Sequence, residues 1–530
     1  MQPNVQLLCD AVSANDAPRV RAILTARPEL IGFDLSGGDE RRALHFSVLN
    51  RVPEMVALLM EHGADARHGV YPYRRLTTPR ALALDRRYTE LVAIIDDAES
   101  KRPPDSAAGA PGLSPLHQAA RDHDLPALAR LLKAGADANA PTANQWTPLD
   151  FAAGFGGTSL SDTTAFQAAA GLLRQSGAHL TPRSAAALGE TGWLRQRHAD
   201  GSLENPVDCD GGMLSLAVKY NQPEVLRLLL DLGFDPDERF RLPGLEEDVY
   251  SQAMPLYWAA DSGQHAMAEL LLAHGADPNG HVYCSGTPTH AAVSRRDRAT
   301  VDLLTRHGGV VLAESPGYSR SPGLARALVA LDEAGQLPVA SLNPGRTFGE
   351  DLLQGGSSGG DPEIVRMALE RVTWGRSDPR WHGQLWNVRC FWNHIPWVRH
   401  ANPAFDRNAY LECYKWILAR ADASVSGTFG RTILHDIAAM GDWVNDEEVT
   451  EFASAALDAG ANPHLRDEFL GSTALGWACQ HGRVGMARLL LSRGVDAAEP
   501  DAETWATPVA RAQKSGSPEI LALLRSVGIY

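Results

Sequence analysis

The sequence predicts an all-α fold, a solenoid of about 13–14 stacked helix pairs, several of them degenerate, with a tryptophan-rich insertion. Three observations lead there. The phrase Gly-Ala-Asp recurs at Gly63, Gly135 and Gly275, with variants at Gly233, Gly460 and Gly494. A Thr-Pro-Leu-His-like start recurs at Ser114, Thr147, Met254, Thr287 and Thr432. The spacing is regular: 34 residues separate Gly460 from Gly494, and 33 separate Gly275 from Gly308. Units of this length are single supersecondary modules that bury their apolar faces only against neighbours.

Each marker has a physical task. A Ser or Thr hydroxyl accepts from the free amides at a helix start, and proline at the first helical position forfeits no needed hydrogen bond. Glycine after the second helix takes the left-handed conformation without a steric penalty. Apolar runs such as Val225–Leu230 and Met486–Leu491 supply the second helices. One short pair cannot cover its own stripe, so stacking makes the core, and each unit is expected to touch only the next.

A first unit spans 4–33 and lacks the Thr-Pro start, as a capping unit would. Regular units begin near Asp39, Leu76, Gly112, Gln145, Arg183, Gly211, Ala253 and Gly286, and closing units near Arg431, Ser472 and Thr507. Pro103, Pro104 and Pro111 make 101–112 a linker or hinge. From Ser315 to Arg431 the pattern frays, although 321–335 and 348–371 still read as helix pairs. The expected divisions are N-terminal repeats 1–104, central repeats 105–314, degenerate repeats with the insertion 315–430, and C-terminal repeats 431–530.

The chain has 530 residues, 44% hydrophobic and 21% charged, with a net charge of −15. That balance is globular, and its sign argues against nucleic acid as a general partner. Six scattered cysteines without metal or redox spacing fit a reducing compartment. No basic segment with a long apolar run opens the chain, and no run approaches a membrane span. The expectation is a cytoplasmic protein with no cofactor, no metal and no membrane partner.

Residues 374–416 depart most from the repeat background. Trp374, Trp381, Trp386, Trp392 and Trp397 crowd there, interleaved with His382, Arg389, Cys390, His394 and His400. Residues 381–392 are expected on the first helix of a repeat and 408–419 on its second, with 394–407 inserted. In one reading the indoles fill core where the insertion breaks the stacking. In the other they line a pocket or contact surface, with Trp381, Trp386, Arg389, His394, Trp397 and Asp406 as binding candidates. Cys390 and His394 share a helix spacing, but two ligands do not make a metal site.

The loops between units add further candidates. Tyr71, Tyr73 and Arg74 stand together in one, Tyr250 in another and Tyr283 in a third. Tyrosine and arginine carry contact energy in many interfaces. Gly355–Gly360 suggests a phosphate cradle, yet Asp361 stands where a lysine would be needed. A turn between paired helices explains it instead. No His-Glu-x-x-His or Gly-x-Ser-x-Gly motif appears. His117, His290 and His435, at the repeat starts, read as structural residues bonding neighbouring backbone.

The Thr-Pro-Leu-His and Gly-Ala-Asp phrases resemble the ankyrin-repeat superfamily. Ala43–Leu49, His68–Pro72, Asp361–Arg371, Trp392–His394 and Gly476–Cys479 are similar to segments of long bacterial ankyrin proteins without an assigned activity. The resemblance implies stacked helix pairs and partner binding, and supplies no catalytic residue. The leading expectation is a non-catalytic scaffold holding a protein partner in a concave groove. The alternatives are an enzyme or small-molecule binder with its pocket at the tryptophan-rich insertion, or a secreted effector-like interaction protein.

Overall fold

The computed structural model describes the chain except 1–2, 36–39, 71–73, 75, 102–113, 143–144, 155–162, 209–210, 243–245, 247–249, 252–253, 283–285, 391–405, 441–443 and 530. The unit at 287–308 illustrates the rest. Thr287 Oγ1 accepts the His290 amide at 3.2 Å, and Pro288 opens the Pro288–Ser294 helix. Asp297 Oδ1 accepts the Thr300 amide at 3.2 Å and starts the Arg298–Arg306 helix. Gly308, at φ 89°, closes the unit. Ala291, Ala292, Leu303 and Leu304 are buried against neighbouring units. Each leucine contributes roughly 1.5–3 kcal/mol on burial.

A second left-handed residue stands between the two helices of many pairs. It is Asn15, Arg51, Arg87, His123, Asn221 or Arg296, with φ between 51° and 60°. The sequence pattern had marked only the glycine after the second helix. A non-glycine residue in this conformation costs about 1–2 kcal/mol, so stacking must hold it there. Gly275, at φ 89°, meets nothing within 4 Å of an added Cβ. Gly275→Val should therefore cost about 1–3 kcal/mol through backbone strain alone, read as a lower urea midpoint. An unchanged midpoint would contradict the turn.

The described residues carry thirty α-helices in fifteen pairs, slightly more than the expected 13–14. First helices stack on first helices from Pro115–Arg121 through Pro508–Ser515. The core is distributed along this line, one buried cluster running from Ala313 to Leu524 and others around Leu149 and Leu229. The Arg380–Cys390 and Arg407–Arg420 helices pair as the first and second helices of the tryptophan-rich unit.

Where the local start signal is missing, a neighbour supplies it. Gly212 precedes the Met213–Lys219 helix and offers no side-chain cap. The buried Glu238 carboxylate, from the next loop, accepts the amides of Gly212, Leu214 and Ser215 at 2.6–2.9 Å. It also accepts the Ser215 hydroxyl at 2.6 Å.

Two expectations need correction. Gly355–Gly359 is not a turn: it lies inside the Phe348–Gly359 helix, and only Gly360, at φ 61°, is left-handed. The run is there for close packing. A Cβ on Gly355 would lie 1.9 Å from the Glu314 carbonyl oxygen, and one on Gly359 would lie 1.9 Å from that of Gly317. Asp361 caps the next helix, accepting the Glu363 and Ile364 amides at 3.0 and 3.1 Å.

The second correction concerns contacts between neighbours alone. The first three helix pairs, Val5 to Ser100, also touch distant repeats. Phe429 and Phe469 belong to the same buried cluster as Leu44, Val56 and Ile95. Asp85 forms a buried ion pair with Arg511 at 3.0 Å. Long-range aromatic and charged contacts therefore supplement the nearest-neighbour stack.

Candidate functional site

The frayed section holds a cavity of about 750 Å³ between the Phe348–Gly359 and Arg380–Cys390 helices and the 427–431 loop. Trp374, Trp386 and Phe429 give it aromatic walls; Arg346, Glu350, Arg380 and Arg431 give it charge. Glu350 closes the capping box of its helix with Thr347. It also accepts the Trp374 indole N–H at 2.6 Å and Arg380 at 2.7 Å. Burial opposes its ionisation, but the Thr347 amide, the indole and Arg380 together hold the carboxyl below its ordinary range. The Arg380 guanidinium lies 4.7 Å from the Trp374 ring centroid, which presents that indole edge-on to Trp381.

Behind the wall lies a charged cluster. Asp436, fully buried, stands 2.9 Å from His382 Nε2 and 3.1 Å from an Arg431 nitrogen. Gly427 makes room for the imidazole, since a Cβ there would lie 2.2 Å from His382 Nδ1. The arrangement fixes His382 and Arg431 at the cavity wall. It offers polar groups and flat aromatic faces to a ligand, a chemistry of recognition.

The sequence-derived candidates are dispersed. Trp381 is buried and donates its indole N–H to the Gly375 carbonyl at 2.9 Å, whereas Trp386 is half-buried at the cavity. Asp406 caps the Arg407–Arg420 helix, accepting the Asn408 and Ala409 amides at 3.0 and 3.3 Å. Arg389 falls in the Arg380–Cys390 helix, and nothing is described of its side chain. His394 and Trp397 lie outside the described residues, as do Tyr71, Tyr73 and Tyr283. Arg74 is exposed and pairs with Glu40 at 3.0 Å, and Tyr250 is 45% exposed on a short hairpin pairing Phe240–Arg241 with Tyr250–Ser251. Sequence reasoning did not select Glu350, Arg431 or Asp436. The one available signal was Asp436 following His435 on the buried side of a repeat start.

His117 and His435 bond neighbouring backbone as expected, whereas His290 meets a side-chain hydroxyl instead. His117 Nε2 lies 2.9 Å from the Ala140 carbonyl, His435 Nε2 3.1 Å from that of Ser472, and His290 Nδ1 3.0 Å from the Ser315 hydroxyl. Burial depresses His45 to about 3 and His290 to about 4. Both are neutral in the fold, so the unfolded chain binds protons first as pH falls. Their stabilisation is complete above the ordinary value near 6.5 and declines below it, by about 1.4 kcal/mol per pH unit for each histidine. Urea midpoints should fall between pH 7 and pH 5; equal midpoints would contradict buried neutral rings.

Among the described residues no helix is long and apolar enough to cross a membrane. No group of three or more His, Cys, Asp or Glu there could hold a metal ion.

Comparison with known proteins agrees with this architecture. A family model of ankyrin repeats in three copies matches 214–314 and 404–501, and another of ankyrin repeats in many copies matches 116–163. These segments of the chain are ankyrin repeats. The chain is 34% identical over 97 residues to an ankyrin repeat protein of fowlpox virus (strain NVSL), a match covering 18% of this chain. It is 37% identical, again over 97 residues and 18% of the chain, to an ankyrin repeat-containing protein of Treponema pallidum (strain Nichols). The chain spans only 26% and 30% of the length of these relatives. The ankyrin repeat domain of Bcl-3 overlaps 37% of this chain and 87% of its own, at 24% identity and a TM-score of 0.21. That of human ASB11 overlaps 37% and 85%, at 25% identity and a TM-score of 0.23.

Proposed function

We propose that the chain is a non-catalytic scaffold that binds a protein partner through the concave groove of its first helices and loops. Ankyrin repeats are generally protein–protein interaction modules, and the observation that carries the reading here is the continuous row of stacked first helices. A loop of that row carries the exposed Tyr250, and a loop of the first three helix pairs carries the exposed Arg74. Buried free thiols at Cys413 and Cys479 support a reducing, cytoplasmic setting. Affinity capture with the full chain, followed by Tyr250→Ala and Arg74→Ala, tests the reading. Loss of a recovered partner at unchanged melting temperature is the expected result; undiminished capture by the double variant would contradict it.

The cavity favours a second reading, a small-molecule binder at the tryptophan-rich unit. Its volume falls in the range of ligand pockets, and it combines aromatic walls with a few fixed polar groups. A ligand there would raise the melting temperature by mass action. Screening aromatic acids should give a rise in the parent that is lost in Trp386→Ala. An equal rise in that variant would place the ligand elsewhere.

A further inference from the structure

We propose that the first three helix pairs, Val5 to Ser100, are a releasable occupant of the partner-binding face of the C-terminal repeats. A protein partner would then reach that face only when this block swings out. The inference rests on the binding role proposed above.

The block touches the rest of the chain at two separated places. At one, Asp85 at the end of the Pro79–Asp85 helix meets Arg511 at 3.0 Å, and Lys514 also reaches it. Arg86 donates to the Glu468 carbonyl at 3.1 Å and lies 4.6 Å from the Trp505 ring centroid. Arg41 lies 4.9 Å from the Phe429 centroid, and Phe429 packs on Phe469. Phe429, Glu468, Phe469 and Trp505 all belong to loops preceding first helices, the same kind of loop that meets ligands in a solenoid. At the other place, Glu246 accepts the Val5 amide at 2.9 Å and Arg27 at 2.6 Å.

These contacts suit a docked state better than a permanent joint. Arg27–Glu246 and Arg41–Glu468 are partly exposed and screened by salt. A cavity of about 500 Å³ remains in the seam, walled by Leu76, Leu84, Trp505 and Lys514. Leu84 is still 48% exposed there. The seam is mixed: Asp85–Arg511 is buried and Phe429 and Phe469 join the block's apolar cluster, while the Glu246 contact and the cavity are open to water, and release has to break the buried part. The segment 102–113 joins the block to the next repeat, and twelve residues reach roughly 40 Å when extended.

The contacts also state what a displacing partner must offer. Arg511 and Lys514 call for a carboxylate, Trp505 for a cation, and Phe429 with Phe469 for an apolar surface. A helix end carrying an acidic residue followed by a basic one, as Asp85–Arg86 does, meets the first two, and an apolar face beside it meets the third.

The test reads shape in the full-length chain. Asp85→Arg should enlarge the maximum dimension in small-angle scattering and speed tryptic cleavage after Lys101 several-fold. Dimensions and cleavage equal to the parent's would overturn the proposal. Should Asp85→Arg fold poorly, the exposed contact gives an independent cycle. Arg27→Glu and Glu246→Arg should each speed cleavage, and the double variant should return it to the parent's rate. Two silent single variants, or a double variant as open as the singles, would overturn it equally. No partner enters these measurements, so closure can fail while partner capture through Tyr250 stands, and the reverse.

Discussion

Asp436→Ala is expected to lower stability by about 3–5 kcal/mol, the usual cost of removing one partner from a buried charge cluster. The carboxylate is fully buried between His382 and Arg431, which are themselves 7% and 5% exposed. Alanine leaves the largely buried Arg431 guanidinium charged and without this carboxylate. Asp436→Asn keeps an acceptor of the same shape and should lose less. The measurement is the urea midpoint of both variants at pH 7. A loss below about 1 kcal/mol in the alanine variant would mean that the cluster contributes little to holding the cavity wall.

The second large effect is expected at Gly355. A Cβ there falls 1.9 Å from the Glu314 carbonyl oxygen and 2.7 Å from its carbon, both backbone atoms. Overpacking a core usually costs about 1–3 kcal/mol because side chains shift aside. Two facing backbones have no such freedom, since Gly317 approaches from the other helix with its own Cβ position 1.9 Å from the Gly355 carbonyl carbon. Gly355→Val should therefore cost at least about 3 kcal/mol and part the Ser315–Tyr318 and Phe348–Gly359 helices. A midpoint within error of the parent's would show that the two helices are not in contact.

The repeats were legible because their signals are local. A hydroxyl, a proline and a glycine act on backbone atoms a few residues away, so Thr287, Pro288 and Gly308 announce their roles in the sequence. Glu238 did not, because it caps a helix that starts 25 residues earlier, at Met213, and only the fold brings them together. Gly355 looked like a turn because glycine runs usually are turns; its actual constraint is a carbonyl in another helix pair. Asp85 and Arg511 lie 426 residues apart, and a nearest-neighbour view of repeats gives no reason to join them.

The candidate site was legible only in outline. The tryptophan cluster pointed to the unit that carries the cavity, and the two described helices of that unit, Arg380–Cys390 and Arg407–Arg420, lie close to the expected limits. The cavity itself is built from three stretches, at 345–354, 374–386 and 427–431, with Asp436 behind them. All three contribute charged residues that are unremarkable on a helical repeat until they face one another. Of the loop candidates, Arg74 and Tyr250 stand exposed, which is what contact residues require and what no periodicity reveals.

Hydrogen exchange on the Gly355→Val chain tests most directly whether stability is passed from each helix pair to the next. The expected result is faster exchange in the Ser315–Tyr318, Phe348–Gly359 and Pro362–Leu369 helices, with Met213–Lys219 and Pro223–Asp231 at the parent's rates. Equal acceleration along the whole chain would contradict a core strung out unit by unit and point to a single shared nucleus.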